Sequence, residues 1–300
     1  MTTAVRVDRV SRRYHGLAAV DDVSFSLEAG RIHGLLGRNG AGKTTLMRLA
    51  TGLERPSSGT VEVFGADPFE NEDVLRRTCF VKESQTYPDL SVRRVLASAR
   101  LLQPGWDEGL AQALVTDFDL PLKRRVRKLS RGMRSALGIV IGLASRAPLT
   151  LFDEPYLGLD APSRTLFYDR LLADFADHPR TVVLSTHLID EVADLLERVV
   201  VVDHGRVVID AEAEDVRGTA YTVVGPVGPV AEFVGRREVV ARQDVGAYAS
   251  ATVRGRVHDP ERRLADELSL DLTPVSLQEL VAHATTVRAD DTRTTQGVDR

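Results

Sequence analysis

Cysteine is nearly absent: Cys79 is the only one in 300 residues. No internal disulfide and no multi-cysteine metal site can form, and the count fits a reducing compartment. Cys79 itself reads as a small buried apolar residue. Long hydrophobic runs are missing too. The longest apolar segments, around Leu137 to Leu143 and Val199 to Val202, fall far short of the roughly 18 residues a membrane-spanning helix needs. The start, Met1-Thr2-Thr3-Ala4-Val5-Arg6, has neither the apolar stretch nor the cleavage site of a secretory signal, so the chain alone is expected to be soluble. Charge is balanced, with 39 Lys and Arg against 43 Asp and Glu, a net −4. No global field then recruits nucleic acid or anionic lipid. The basic run Lys123-Arg124-Arg125-Val126-Arg127-Lys128 lacks interleaved aromatics and reads as a solvated face, so no nucleic-acid partner is expected.

What is present is an ordinary globular balance, 43% hydrophobic and 27% charged, in a chain long enough for one large or two ordinary domains. From about Val5 to Leu27 apolar and polar residues alternate, as in Val23-Ser24-Phe25-Ser26-Leu27, which predicts an antiparallel sheet. From Arg31 onward strand and helix patterns alternate, predicting a mainly parallel sheet covered by helices. Its strands are expected at Ile32 to Leu36, Leu149 to Phe152, Val182 to Ser185 and Val199 to Val202. Between Asn71 and Ala147 helical periodicity takes over, at Val95, Leu96, Ala99 and Leu102 for example, so a helical insertion about 71–147 is expected. Asp203-His204-Gly205-Arg206 reads as a hairpin turn. After about Arg217 the composition shifts, with Gly225-Pro226-Val227-Gly228-Pro229 as punctuation. A β-like run at Tyr248 to Val253 and helices near Pro260 to Leu268 and Ser276 to Ala284 then predict a small α/β appendage. The expected domains are 1–217, 218–284 and a disordered tail, 285–300.

Residues 37 to 44, Gly37-Arg38-Asn39-Gly40-Ala41-Gly42-Lys43-Thr44, form a GxxxxGK[ST] string between a strand pattern and a helix pattern. That is the context in which such a loop wraps nucleotide phosphates. The glycines let successive N–H groups turn inward, and the helix N-terminus adds partial positive charge. Lys43 is expected on the β- and γ-phosphates and the Thr44 hydroxyl on Mg²⁺. A second carboxylate comes from Leu149-Thr150-Leu151-Phe152-Asp153-Glu154-Pro155: Asp153 as the Mg²⁺ partner, Glu154 to polarise an attacking water. Another strand pattern ends on His187, where open α/β sheets bind ligands and where it could bond a γ-phosphate. In Leu129-Ser130-Arg131-Gly132-Met133, Ser130 and Gly132 could open a helix as a second anion site; read alone, the pentapeptide is an N-cap.

The order and spacing of Gly37 to Thr45, Leu129 to Met133, Leu151 to Pro155, Gly158-Leu159-Asp160 and His187 resemble the phosphate loop, signature, second Walker motif, D-loop and switch histidine of an ATP-binding cassette (ABC) ATPase. Residues 5 to 215 follow that pattern. The resemblance implies an α/β fold, a P-loop NTPase cassette with an antiparallel β subdomain, a RecA-like core and a helical insertion, followed here by the small α/β appendage. It implies ATP and Mg²⁺ as ligands and Lys43, Glu154 and His187 as catalytic residues. The nucleotide is then bound by Gly37 to Thr45, with Thr44 and Asp153 on the metal. Tyr14 matches the aromatic that stacks on adenine; its bland alternative is one more sheet tyrosine.

The signature departs from the family's LSGGQ, with Arg131 in place of a glycine and Met133 in place of the glutamine; Arg131 still offers charge to a phosphate. The glutamine expected on nucleotide and metal is matched by Gln85, which stands too close to Tyr87. Either the loop is rearranged and Gln85 serves, or Lys82 or Glu83 occupies that place. In the family two copies stack head to tail, so the resemblance implies that Ser130, Gly132 and the D-loop residue Asp160 serve the site of a second nucleotide-binding subunit. It also implies a separate transmembrane permease, on whose cytoplasmic face the chain would sit as a peripheral subunit. Thr51 to Val61 and Val275 to Leu280 resemble the subgroup serving ABC-2 exporters. The alternative from another class is a soluble single-cassette ABC ATPase in an assembly process.

Overall fold

A computed structural model of the chain describes residues 2–82 and 85–282. Thirteen strands are named among these residues: β1 (Thr3–Tyr14), β2 (Leu17–Glu28), β3 (Ile32–Leu36), β4 (Ser58–Val63), β5 (Thr78–Lys82), β6 (Leu149–Asp153), β7 (Thr181–Thr186), β8 (Arg198–Asp203), β9 (Arg206–Glu212), β10 (Ala220–Pro226), β11 (Val239–Val245), β12 (Tyr248–Arg254) and β13 (Asp271–Pro274). The chain divides into two compact units. Among the described residues, one holds those up to His187 together with Leu195–Asp210; the other holds Leu188–Asp194 and those from Ala211 onward.

In the first unit β2, β1 and β4 form the antiparallel sheet that the N-terminal alternation predicts, with β4 an added strand. The second sheet runs in the order β5-β6-β7-β3-β8-β9, and its pairings from β5 to β8 are all parallel. β3, β6 and β7 are buried at every position, as near-continuous apolar strands covered on both faces must be. The helix Lys43–Ala50 inserts Leu46, Met47, Leu49 and Ala50 into one core shared with Val5, Val23 and Val63 of the antiparallel sheet and Leu35, Leu151 and Val183 of the parallel one. That packing sets the end of the phosphate loop against the C-terminal edges of β3, β6 and β7.

The expected insertion contains the helices Glu72–Leu75, Val92–Leu102, Glu108–Asp117 and Arg131–Ala144. Within it lies β5, which pairs with β6 from Thr78↔Leu149 to Lys82↔Asp153. Its apolar run is only Cys79-Phe80-Val81, and set among helix patterns it does not show as a strand. In the second unit the order is β10, helix Val227–Val234, β11, β12, helix Asp259–Glu267, β13, with an antiparallel sheet ordered β11-β12-β10-β13. This is a βαββαβ arrangement of the ferredoxin-like kind. The Gly-Pro stretch that reads as punctuation opens a helix instead: Pro226 is the N-cap residue and Pro229 lies in the first turn, where a missing N–H costs nothing. The last expected helix runs from Leu277 to the end of the described residues. The expected tail, 285–300, lies outside them.

Candidate functional site: a phosphate-loop hollow

The phosphate loop follows β3 and needs its glycines for two separate reasons. Gly37 and Gly42 have φ of 143° and 112°, in the region that L side chains avoid. They are also crowded: a Cβ on Gly37 would lie 2.1 Å from the Val202 carbonyl oxygen, and one on Gly42 2.6 Å from that of Ala19. Gly42 is the N-cap residue of the helix Lys43–Ala50, so the first helical N–H groups face the loop. Lys43 Nζ donates to the carbonyl oxygens of Gly37 at 2.7 Å and Arg38 at 3.1 Å, and lies 3.8 Å from Glu154 Oε1. Burial pushes the Lys43 ammonium below the usual lysine range, opposed by the charges of Glu154 and Asp153.

Opposite the loop, β6 ends on Asp153 and β7 on Thr186, with Asp153 registered against Ser185. The Thr44 hydroxyl donates to Asp153 Oδ2 at 2.6 Å, while Asp153 Oδ1 is buried without a hydrogen-bond partner. A hydroxyl and a carboxylate oxygen side by side, with a second oxygen unsatisfied, are hard donors suited to Mg²⁺. Among the described residues no group of three or more His, Cys, Asp or Glu could hold a metal. An ion here would take its remaining ligands from phosphate and water.

Glu154 sits at φ 51°, and its N–H bonds Ser185 O at 3.1 Å. That turn directs its carboxylate into the same hollow. Its Oε2 meets His187 Nδ1 at 2.6 Å and the Tyr156 hydroxyl at 2.6 Å. Its Oε1 is buried and has no hydrogen-bond partner. The hollow, about 520 Å³, is lined by Ala19, Asn39, Gly40, Gly42, Lys43, Thr44, Thr45, Arg131, Asp153, Glu154, Leu157 and His187.

The other expected residues lie outside that lining. Ser130 accepts from the Met133 N–H at 3.1 Å as N-cap of the helix Arg131–Ala144. Asp160 caps the helix Ala161–Asp177 by accepting from the Ser163 N–H at 3.0 Å; Ser163 holds its carboxyl below the usual carboxylate range. The signature packs on the D-loop of its own chain: a Cβ on Gly132 would lie 2.5 Å from Gly158 O, and Ser135 Oγ donates to Leu157 O at 2.7 Å. The Tyr14 hydroxyl donates to Glu54, and the Arg12 guanidinium lies 4.7 Å from the Tyr14 ring centre. The Gln85 N–H bonds Lys82 O at 3.2 Å; Glu83 lies outside the described residues. Sequence reasoning missed Tyr156, although an aromatic directly after Asp153-Glu154-Pro155 was the available signal.

The ABC transporter family model matches residues 20–157. The daunorubicin/doxorubicin resistance ATP-binding protein DrrA of Streptomyces peucetius is 32% identical over 225 residues, covering 73% of this chain and 68% of DrrA. The chain belongs to the ABC transporter ATP-binding family. It is an ATPase that powers a membrane permease. The Nod factor export ATP-binding protein I of Burkholderia orbicola is 30% identical over 81% of the cassette chain and 80% of its own length. A solved ATP-binding subunit of an ABC transporter superposes with a TM-score of 0.65 at 26% identity, covering 71% of this chain and 92% of that one. Among the described residues no helix is long and apolar enough to cross a membrane.

Proposed function

We propose that this ATPase drives export through a separate permease, on whose cytoplasmic face it works, and that Glu154 is the general base of its reaction. The single observation that carries the catalytic assignment is the convergence of Lys43, Asp153, Glu154 and His187 in one hollow. Glu154 Oε1 is the oxygen left to accept a proton from water, because Oε2 is engaged by His187 and Tyr156. Lys43 and the loop N–H groups would hold the phosphates; Thr44 and Asp153 would hold Mg²⁺, which would supply positive charge to the phosphate oxygens. The switch to export rather than import is supported by the resistance and export roles in the relatives' names. The Ser130–Gly132 turn and Asp160 close the hollow of a second nucleotide-binding subunit; capping their own helices leaves the turn's backbone ordered for that task.

Glu154→Gln tests the assignment. It keeps the shape of the side chain but removes the basic oxygen, so ATP binding should persist while steady-state turnover falls at least 100-fold, the scale of a general-base contribution. Phosphate release at the unaltered rate would refute it.

A further inference from the structure

We infer that Tyr156 is a positioning residue for hydrolysis, holding Glu154 and His187 in one fixed arrangement through its hydroxyl; the inference rests on the roles just assigned to those two. Tyr156 is only 2% exposed, yet its hydroxyl has four neighbours in hydrogen-bond range. These are Glu154 Oε2 at 2.6 Å, Thr186 Oγ1 at 2.8 Å, and His187 Nδ1 and the His187 N–H, each at 3.2 Å.

Counting donors resolves the network. A phenol has one proton and two lone pairs. An ionised Glu154 only accepts, so the Tyr156 proton goes to Oε2. The phenol oxygen then accepts from the His187 N–H and from Thr186. His187 Nδ1, 2.6 Å from the same Oε2, is assigned the proton on that side, which leaves Nε2 to face a ligand. Burial and the bond to Glu154 push the Tyr156 phenol well above its ordinary range, so it stays a donor throughout the working pH range.

The consequence is directional. With Oε2 held from two sides, the carboxylate cannot rotate freely and Oε1 is the oxygen left without a hydrogen-bond partner, 3.8 Å from Lys43 Nζ. A base held in one orientation avoids the ordering that a free side chain undergoes at each turnover. The Tyr156 ring is itself fixed, with its centre 5.9 Å from that of His187, and its carbonyl accepts from the Leu159 N–H at 2.9 Å. No part of Tyr156 lines the hollow, so its effect on the reaction runs through Glu154 and His187.

The test uses the full chain with its permease and compares Tyr156→Phe, Glu154→Gln and the double variant, measuring kcat, KM and the Kd for ATP. Tyr156→Phe should lower kcat about 10- to 100-fold, the scale on which partners behind a reactive group act, with KM and Kd unchanged. The double variant should turn over no more slowly than Glu154→Gln alone. An unaltered kcat in Tyr156→Phe, a fall in ATP affinity matching the fall in kcat, or a double variant slower than Glu154→Gln would overturn the inference. Retained turnover in Glu154→Gln would instead overturn the assignment of the base. Unchanged ATP affinity in Tyr156→Phe also shows that the variant is folded.

Discussion

Glu154, at φ 51°, is a non-glycine residue in left-handed backbone at the point where a carboxylate must leave its strand and enter the hollow. Strain of this kind persists only where the surroundings enforce it, and here the bond from its N–H to Ser185 O does so. His33 shows the same dependence on surroundings without a catalytic part. It is fully buried in β3, with Nε2 2.8 Å from Glu28 O and Nδ1 lacking a partner. Burial, the largest cause, holds its imidazole below the ordinary histidine range. Below about pH 6.5 the unfolded chain therefore takes up a proton that the folded chain does not, and stability falls with acidification. Replacing His33 with Gln should flatten that fall: the loss of Tm between pH 7.5 and 5.5 should be smaller than in the parent, and an equal loss would show that His33 does not contribute. Cys79, buried as expected with its thiol pushed up to about 11, belongs to the core. At this scale the residues in strict motifs were legible, because Lys43, Thr44, Asp153, Glu154 and His187 all meet in the hollow. Tyr156 was not, since a hydroxyl's partners depend on which strand ends lie side by side.

Elements were legible in proportion to their periodicity. β3, β6, β7 and β8 each carry an apolar run that a buried parallel strand requires, and they were placed from sequence. β4, in Ser58–Val63, has only two buried positions, and β5, no shorter than β3 or β6, has Phe80 and Lys82 only half-buried; neither carries the fully buried run that marks the others. The ferredoxin-like order of the second unit was hidden for a related reason, because β11 is largely exposed. Helix placement also rests on polar groups that no pattern reveals. Asp174, at the end of the helix Ala161–Asp177, accepts from Arg146 at 3.0 and 3.2 Å through Oδ1 and from the buried Arg180 at 2.6 Å through Oδ2. The three tie that helix to the turn before β6 and the start of β7. Removing the carboxylate in Asp174→Ala leaves the Arg180 guanidinium buried without its counter-charge, so urea unfolding should show a loss of about 3–5 kcal/mol. A loss under about 1 kcal/mol, the scale of an exposed pair, would mean that water replaces the carboxylate.

Across the whole molecule, the residues lining the hollow all fall between Ala19 and His187, in the first unit. The next residue in the chain, Leu188, begins a short segment, Leu188–Asp194, that belongs to the second unit. Within that unit the Asp190 carboxylate accepts from the Gln278 N–H at 3.3 Å and from Ser276 Oγ at 3.4 Å, and Arg217 donates to the Ala193 carbonyl. The second unit therefore holds the stretch directly after His187 by contacts far apart in sequence, which local patterns could not foretell. Truncation after Asp210 separates the two contributions. The shortened chain keeps every residue of the hollow and should bind ATP with unaltered affinity. Its amides from 188 to 194 have lost Asp190's and Ala193's partners and should exchange with solvent faster, by at least tenfold for the removal of about 1.4 kcal/mol of local stability. Exchange in β3, β6 and β7 should not change. Undiminished protection across 188–194 would show that the segment is ordered by the first unit alone, and that the second unit has no hold on the chain beside His187.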